Sequence, residues 1–200
     1  MKKSMLLATA LLAASTVGAF VPQGAEAQTL FTPQPSTPGV YIGGEGGLNW
    51  LLNSGSNQFN TGYGVGGKIG YDFVGPRVEL EALYRNNQAR AIVPTPFGPA
   101  PAQGQVNQFS TMVNGLYDFL PGAKLTPYAG AGIGLAFVDQ TILGCTMCST
   151  QFAYQGILGI GYNVAPHWRI DLDARYYGTT NPGAYSNNDI SVMMGVSYKW

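Results

Sequence analysis

The stretch WRIDLDARYY, residues 168–177, alternates charged and apolar side chains. Successive side chains of a β-strand point to opposite faces of a sheet, so this alternation predicts a strand with one charged face and one apolar face. In a soluble sandwich the apolar face would pack inward, whereas a membrane barrel turns its apolar face to lipid and keeps its polar residues in the lumen. The stretch alone leaves both interpretations open.

The beginning of the chain has the layout of a secretory signal peptide. Two lysines precede an apolar run at residues 5–14, and the letters AEA at 25–27 provide the small residues of a cleavage site. The apolar run is shorter than the roughly 20 residues of a membrane-spanning helix. We therefore predict a signal peptide at residues 1–27, a flexible Pro-rich lead at 28–39 and one folded domain at 40–200.

Charge is scarce along the chain. Only 10% of the residues are charged, well below the usual proportion in soluble domains of about a quarter, while 46% are hydrophobic. Basic and acidic residues balance, so there is no electrostatic basis for binding nucleic acid. This composition favours a β-barrel in lipid, in which each strand gives only a weak sequence signal.

Eight alternating segments follow the lead. They lie at about 40–50, 62–73, 77–86, 108–119, 124–138, 151–164, 167–177 and 189–200. The connections after the second, fourth and sixth segments are short, and the other four are long. Short turns at one end and long loops at the other are typical of a barrel in an outer membrane. The sequence therefore predicts an all-β, eight-stranded antiparallel up-and-down transmembrane β-barrel.

Most charged residues after the predicted signal share the face opposite the aliphatic residues, and many glycines lie on that same face. An eight-stranded barrel has an interior just wide enough to be filled by side chains. Small residues and opposite charges suit such a lumen better than a water-exposed face. We predict a structural charge network in the lumen formed by Glu45, Lys68, Arg77, Glu79, Glu81, Arg85, Arg169, Asp171, Asp173 and Arg175.

The chain resembles the small eight-stranded outer-membrane barrels of the OmpA/OmpX type, and more closely the alphaproteobacterial surface-antigen and opacity-like outer membrane β-barrel proteins. The segments that carry this resemblance are GVYIGGEGGLNW, RVELEALYR, TPYAGAGIGLAF and SVMMGVSYKW. It implies a monomer in the outer membrane of a Gram-negative bacterium, in contact with lipids and lipopolysaccharide. It also implies that the assembly machinery reads Tyr198 and Trp200 of the last strand as an assembly signal.

Few residues suggest chemistry. The single histidine, His167, lies in a predicted short turn, and no serine or cysteine has a histidine base in a plausible strand register. We therefore predict no catalytic residue, no cofactor and no metal site.

Two connections have distinctive compositions. Cys145 and Cys148 lie in the third long loop, where the contexts of a redox motif or a zinc site are lacking, and we predict a local disulfide. The second long loop contains Pro94, Pro96, Pro99 and Pro101. It is interpreted either as an extended recognition segment or as a solvated loop.

These features suggest a non-enzymatic integral outer-membrane protein that contributes to envelope integrity and contacts a host or the environment through four loops. A narrow channel for ions or small solutes is the main alternative, because a polar lumen can admit water. An enzyme acting on lipid A or on surface proteins is a third hypothesis.

Overall fold

The computed structural model describes residues 30–52, 58–59, 61–95, 98–142, 145–180 and 188–200, so the predicted signal peptide lies outside the described residues. Within these ranges the chain forms nine β-strands: β1 Gly39–Leu52, β2 Gln58–Phe59, β3 Gly62–Asp72, β4 Pro76–Thr95, β5 Gly98–Asp118, β6 Leu125–Ile142, β7 Cys145–Ala165, β8 Trp168–Thr180 and β9 Asn188–Lys199. No helix in the same ranges is long and apolar enough to cross a membrane.

The eight long strands close into one antiparallel barrel. Neighbours in sequence pair with each other from β3 to β9, and β1 pairs with both β3 and β9, so every long strand has two partners. The short strand β2 continues the pairing along β4 by placing Gln58 opposite Arg90. The predicted eight-stranded up-and-down barrel is confirmed.

The two faces of β8 settle the orientation of the alternating residues. Asp171, Asp173 and Arg175 are buried inside the closed sheet, whereas Leu172 and Tyr176 lie on the outer surface, with Leu172 54% exposed. A soluble sandwich would show the opposite pattern, because its apolar face would be covered. The charged face of WRIDLDARYY therefore points into the lumen and its apolar face points outward.

Exposed aromatic side chains form two bands around the outer surface. The band near the short turns contains Tyr71, Phe73, Tyr117, Phe119, Tyr162, Trp168 and Trp200. The band at the opposite end contains Trp50, Tyr63, Tyr84, Phe109, Phe137, Phe152, Tyr154 and Tyr176. From Trp168 to Tyr176 the strand covers about 26 Å, or about 20 Å along the axis of a tilted barrel. This separation is close to the apolar band of about 25 Å of a membrane barrel, which has aromatic girdles at both interfaces.

The second and third long loops were predicted incorrectly, because strands occupy much of each. β4 continues to Thr95 and pairs with β5 without interruption up to Gly98, and β6 and β7 pair up to Ile142 and Cys145. Both pairs of strands extend past the aromatic band at that end of the barrel, which we call the hairpin end; the opposite end is the short-turn end. The β4–β5 connection is thus a projecting hairpin rather than a long loop.

The prolines of this hairpin explain how it can remain a β-ladder. The carbonyl of Gly75 accepts a hydrogen bond from Asp118 of β5, whereas the carbonyl of Pro76 accepts one from Phe73, the residue directly after β3. Even-numbered residues of β4 and their β5 partners therefore direct their backbone groups away from the β4–β5 ladder. Pro94 is one of these even-numbered residues, and Pro99 is its partner on β5. The missing N–H groups of the two prolines would therefore point away from the ladder, and the prolines remove no hydrogen bond between the two strands.

Candidate functional site

The ten charged residues predicted for the lumen are named here the lumen network. The structure places all ten on inward-facing positions, where the most accessible side chain, that of Arg169, is 15% exposed. Ion pairs connect nine of them in two clusters, one near the middle of the barrel and one toward the short-turn end, and Arg85 lies apart. The interior of this barrel is therefore filled with charged side chains, most of which are paired with opposite charges.

Arg175 is the centre of the first cluster. Its guanidinium forms a two-pronged contact with Glu45 at 3.0 and 2.9 Å and also contacts Glu81 at 3.0 Å. Its Nε donates to Asp173 on the same strand at 2.5 Å. Because the guanidinium is planar and carries five donors, one side chain can hold three carboxylates that come from β1, β4 and β8. Arg175 thereby links strands across the lumen.

Lys68 joins this cluster to the second one. Its Nζ lies 3.4 Å from Asp171, 3.8 Å from Glu45 and 4.0 Å from Glu79. The flexible ammonium group acts as a compact charge among these carboxylates. Ion pairs consequently continue from the middle of the barrel toward the short-turn end.

Two arginines form the second cluster by sharing Asp118. Arg77 Nη2 lies 3.1 Å from one carboxylate oxygen of Asp118, and Arg169 Nη1 lies 2.7 Å from the other. Arg77 also contacts Glu79 at 3.3 Å, and Arg169 contacts Asp171 at 2.7 Å. Asp118 was absent from the predicted network, although its inward phase could have identified it.

Buried tyrosines complete the network, and reasoning from charge alone missed them. Tyr41 donates to Glu79 at 2.5 Å and Tyr128 donates to Asp173 at 2.9 Å. Tyr41 pairs across the ladder with Gly70, and a Cβ at that glycine would lie 2.6 Å from the tyrosine ring. A bulky inward residue opposite a glycine is the sequence signal that could have located these tyrosines.

Two amides were missed in the same way. Asn114 Nδ2 donates to Glu81 at 2.8 Å, and Gln155 Nε2 donates to Asn114 Oδ1 at 2.7 Å. Both residues are buried and share the inward phase of the charged residues. They extend the Arg175 cluster to β5 and β7, so it reaches around most of the barrel wall.

An apolar layer lies directly beyond the Arg175 cluster on the side of the hairpin end. Its main members, Leu83, Met112 and Met193, are at most 1% exposed. They pair with Gly66, Gly134 and Gly47, where an added Cβ would come within 2.7 Å of the apolar side chain. The glycines make room for these side chains, which fill the lumen at this level.

Arg85 lies nearer the hairpin end, apart from the two clusters. Its Nη1 donates to Ser110 at 2.9 Å, its guanidinium stacks 4.1 Å from the centre of the Tyr177 ring, and Asp189 lies 4.0 Å away. Several buried polar atoms around it have no hydrogen-bond partner in the described part of the chain, among them atoms of Asn49, Ser191 and Asp189. This layer is less well satisfied than the middle of the barrel.

The predicted disulfide concerns residues that lie in a strand. Cys145 and Cys148 both belong to β7, where they pair with Ile142 and Asp139. Residues three apart on a strand are separated by about 10 Å between Cα atoms, more than the roughly 7 Å that a disulfide allows. A disulfide bond between Cys145 and Cys148 would require this part of the β6–β7 hairpin to leave the strand conformation. The disulfide stays a prediction.

The predicted assembly signal lies in an aromatic cluster at the short-turn end. The Tyr198 ring contacts Trp168 at 5.1 Å and Trp200 at 5.2 Å between ring centres, both edge to face. Trp200 is 63% exposed, and its backbone N–H donates to Val40 at 3.1 Å across the closing seam of the barrel. Trp200 is therefore in reach of other molecules in the folded protein, and its role as a signal stays a prediction.

His167 lies in the β7–β8 turn at the surface. Its Nδ1 is 2.7 Å from the Lys199 carbonyl, and its ring stacks on Tyr198. Among the residues that the structure describes, no group of three or more His, Cys, Asp or Glu side chains is arranged to hold a metal ion. The contacts of His167 fix the turn against the last strand.

A barrel with an apolar belt between two aromatic girdles, a polar interior and turns shorter than its hairpins is an integral outer-membrane barrel. Residues 7–199 match the family model described as outer membrane protein beta-barrel domain, and the chain belongs to this family. It is a protein of the Gram-negative outer membrane, so the short-turn end faces the periplasm and the hairpin end faces the cell exterior.

Similarity to individual proteins supports the same conclusion. Major surface antigen 4 of Anaplasma marginale is 29% identical over 134 residues, which are 56% of this chain and 45% of that protein. Outer membrane protein PagN of Salmonella typhimurium is 32% identical over 136 residues, 57% of this chain and 56% of that protein. The match thus spans about half the length of these relatives. Neisserial surface protein A has the same fold, with a TM-score of 0.62 over 82% of this chain and 100% of its own at 18% identity.

Proposed function

We propose that this protein is a non-enzymatic outer-membrane barrel that contacts a host surface or the environment through its extracellular hairpins, while the barrel itself contributes to envelope integrity. The observation that carries this proposal is the combination of a lumen filled with buried side chains and strands that project beyond the outer aromatic band. A lumen filled in this way leaves the extracellular surface as the part of the molecule that can meet a host surface or the environment.

Two different layers of side chains lie next to each other in the filled part of the lumen. Arg175 with its three carboxylates fills the middle of the lumen, and Leu83, Met112 and Met193 pack immediately beyond it. An ion crossing this region would have to displace a buried guanidinium and then pass through an apolar layer. Both steps are costly, because separated buried charges lose their partners and an apolar layer offers no ligands.

The β4–β5 hairpin provides the most prominent extracellular surface. From Tyr84 in the outer aromatic band to Thr95 at the tip, β4 runs for eleven residues, which is about 36 Å along the strand. The pairing with β5 is continuous, so the hairpin is a formed structure on which a ligand could bind. The name of the relative Major surface antigen 4 supports a surface role of the same kind.

Shortening this hairpin tests the proposal. Residues 90–103 would be replaced by an Asn-Gly turn, which joins the hydrogen-bonded pair Ala89 and Gly104 directly. We expect adherence of the bacteria to host cells, or to the surfaces they colonise, to fall to the level of the deletion strain. The amount of folded barrel and the detergent resistance should stay at the level of the unaltered protein, because the barrel remains closed.

The control is an equivalent shortening of the β6–β7 hairpin, in which residues 141–146 are replaced by the same turn between Gln140 and Met147. Loss of adherence with either variant would support a surface shared by the hairpins. If both variants and the complete deletion leave adherence, detergent sensitivity and envelope permeability unchanged, the proposed function is wrong.

A narrow channel remains a second candidate because of the incompletely satisfied polar layer around Arg85. Buried polar groups in proteins are normally hydrogen-bonded to protein or to water, and this layer therefore favours water in the extracellular half of the lumen. Single-channel recordings on refolded protein distinguish the two candidates. Conductance steps would support a channel, and currents that do not exceed bilayer leak would exclude it.

A further inference from the structure

The periplasmic mouth of the barrel encloses a cavity of about 560 Å³. Its floor contains Arg77, Asp118 and Arg169 of the second ion-pair cluster, and its rim is formed by the β5–β6 and β7–β8 turns. Residues 34–37 of the N-terminal segment form its outer wall. The volume lies within the range of about 300 to 1,000 Å³ that is usual for small-molecule sites.

The outer wall is seated against the barrel. Gly122 in the β5–β6 turn has a φ of +80°, and an added Cβ would collide with the backbone carbonyl of Gln34. The contact is therefore made between two backbones and requires a residue without a side chain. The N-terminal segment, which the sequence predicted to be flexible, lies across the mouth at this point.

The lining carries a surplus of positive charge. Its charged members are the cations Arg77, Lys124, Arg169 and Lys199 and the carboxylates Asp72 and Asp118. Lys199 pairs with Asp72 at 2.8 Å, and the two arginines share Asp118. When Lys68, Glu79 and Asp171 of the next layer are included, five cations still face four carboxylates.

In the part of the chain that the structure describes, two groups of this lining have unmet charge or hydrogen-bonding capacity. Lys124 forms no ion pair with any residue that the structure describes. Arg77 is 3% exposed, and its Nε has no hydrogen-bond partner within the same part of the chain. A cation and a buried donor beside one cavity are suited to a negatively charged oxygen.

We propose that this chamber binds a small periplasmic anion through a phosphate or carboxylate group, with Lys124 and Arg77 as its contacts and residues 34–37 as its outer wall. The site lies at the opposite end of the barrel from the surface assigned to adherence. The two proposals therefore stand or fall separately.

Calorimetric titration of the refolded chain in detergent micelles tests the site. Inorganic phosphate and succinate serve as probes, with chloride at matched ionic strength as the reference. Lys124→Gln should weaken binding about tenfold, as expected for loss of a hydrogen bond from a charged group. Arg90→Gln removes one cation from β4 beyond the outer aromatic band and should leave the affinity unchanged.

A second pair of variants tests the wall without changing any charge. Gly122→Ala introduces a side chain both at a positive φ and against Gln34, and should weaken anion binding. Gly75→Ala introduces the same kind of strain in the β3–β4 turn, where φ is +116° and the added Cβ would lie 3.8 Å from its nearest neighbour. The affinity should therefore be retained in Gly75→Ala if the protein folds normally.

Binding of phosphate alone would identify an oxyanion site, binding of succinate alone would identify a carboxylate site, and binding of both would identify a general anion site. Each of these results supports the proposal if Lys124→Gln weakens the binding. Heat no greater than that of chloride, or equal affinities for Lys124→Gln and Arg90→Gln, would overturn it.

Discussion

Single residues in this barrel owe their roles to neighbours that are distant in sequence. Arg175 and Glu45 are 130 positions apart, yet they form the two-pronged contact at the middle of the lumen. The period of two in each strand predicts which face a residue occupies. It does not predict the partner across the lumen, because that depends on how far each strand is shifted along its neighbours when the barrel closes.

Replacing Arg175 should have a large effect on stability. Arg175→Met leaves Glu45, Glu81 and Asp173 buried without their shared cation, and loss of one partner of a buried ion pair costs about 3 to 5 kcal/mol. We expect a decrease of this size in the free energy of unfolding, measured by urea titration in lipid vesicles.

The same experiment has an internal control in the carboxylates. Adding Glu81→Gln to Arg175→Met removes one of the uncompensated charges and should restore part of the lost stability, whereas independent sites would give additive losses. A decrease of less than about 1 kcal/mol for Arg175→Met would contradict the central role of this guanidinium.

At the scale of elements, the barrel strands were more predictable than the hairpins. Within the membrane each strand meets lipid on one face and a packed lumen on the other, so the alternation in β8 is clear from sequence. Beyond the outer aromatic band neither environment applies, and residues such as Pro94 and Pro99 indicated a loop. The two strands can pair here because these prolines direct their backbone away from the β4–β5 ladder. Only the register between β4 and β5 determines this direction.

The direction in which the backbone of these prolines points also predicts a protective role for two prolines of β5. Among the residues that the structure describes, the pairing of β5 with β6 ends at Gln105, and Pro99 and Pro101 direct their backbone toward the side of β5 that this leaves unpaired. Because proline has no N–H, it removes donors that could pair with a strand of another molecule. Replacing both residues with Val should therefore increase association between molecules after refolding, measured by light scattering and size-exclusion chromatography.

The matched control for this pair is Ala100→Val with Ala102→Val. These residues direct their backbone groups toward β4, so the control raises β-propensity equally without adding donors to the free edge. Equal association of the two double variants would show that the prolines do not protect this edge.

On the scale of the whole molecule, the closing seam brings the two ends of the barrel sequence together. β1 pairs with β9, and the backbone of Trp200 continues that seam to Val40. Closure is thus completed by the last residues of the chain. The sequence predicted eight strands and hence closure, because eight alternating segments with an exposed edge at each end would leave unpaired backbone groups in lipid.

The position of Trp200 allows a signal for assembly to be separated from a contribution to folding. Its side chain is 63% exposed and contacts Tyr198, and Trp168 contacts the same ring from the β7–β8 side. Trp200→Ala and Trp168→Ala should therefore have similar, small effects on refolding into lipid vesicles. In cells, only Trp200→Ala should reduce the amount of folded protein in the outer membrane, measured from the band that shifts on heating in a denaturing gel. Equal losses in cells for both variants would mean that these aromatic residues act only through interfacial packing, and the assembly signal would have to lie elsewhere in the chain.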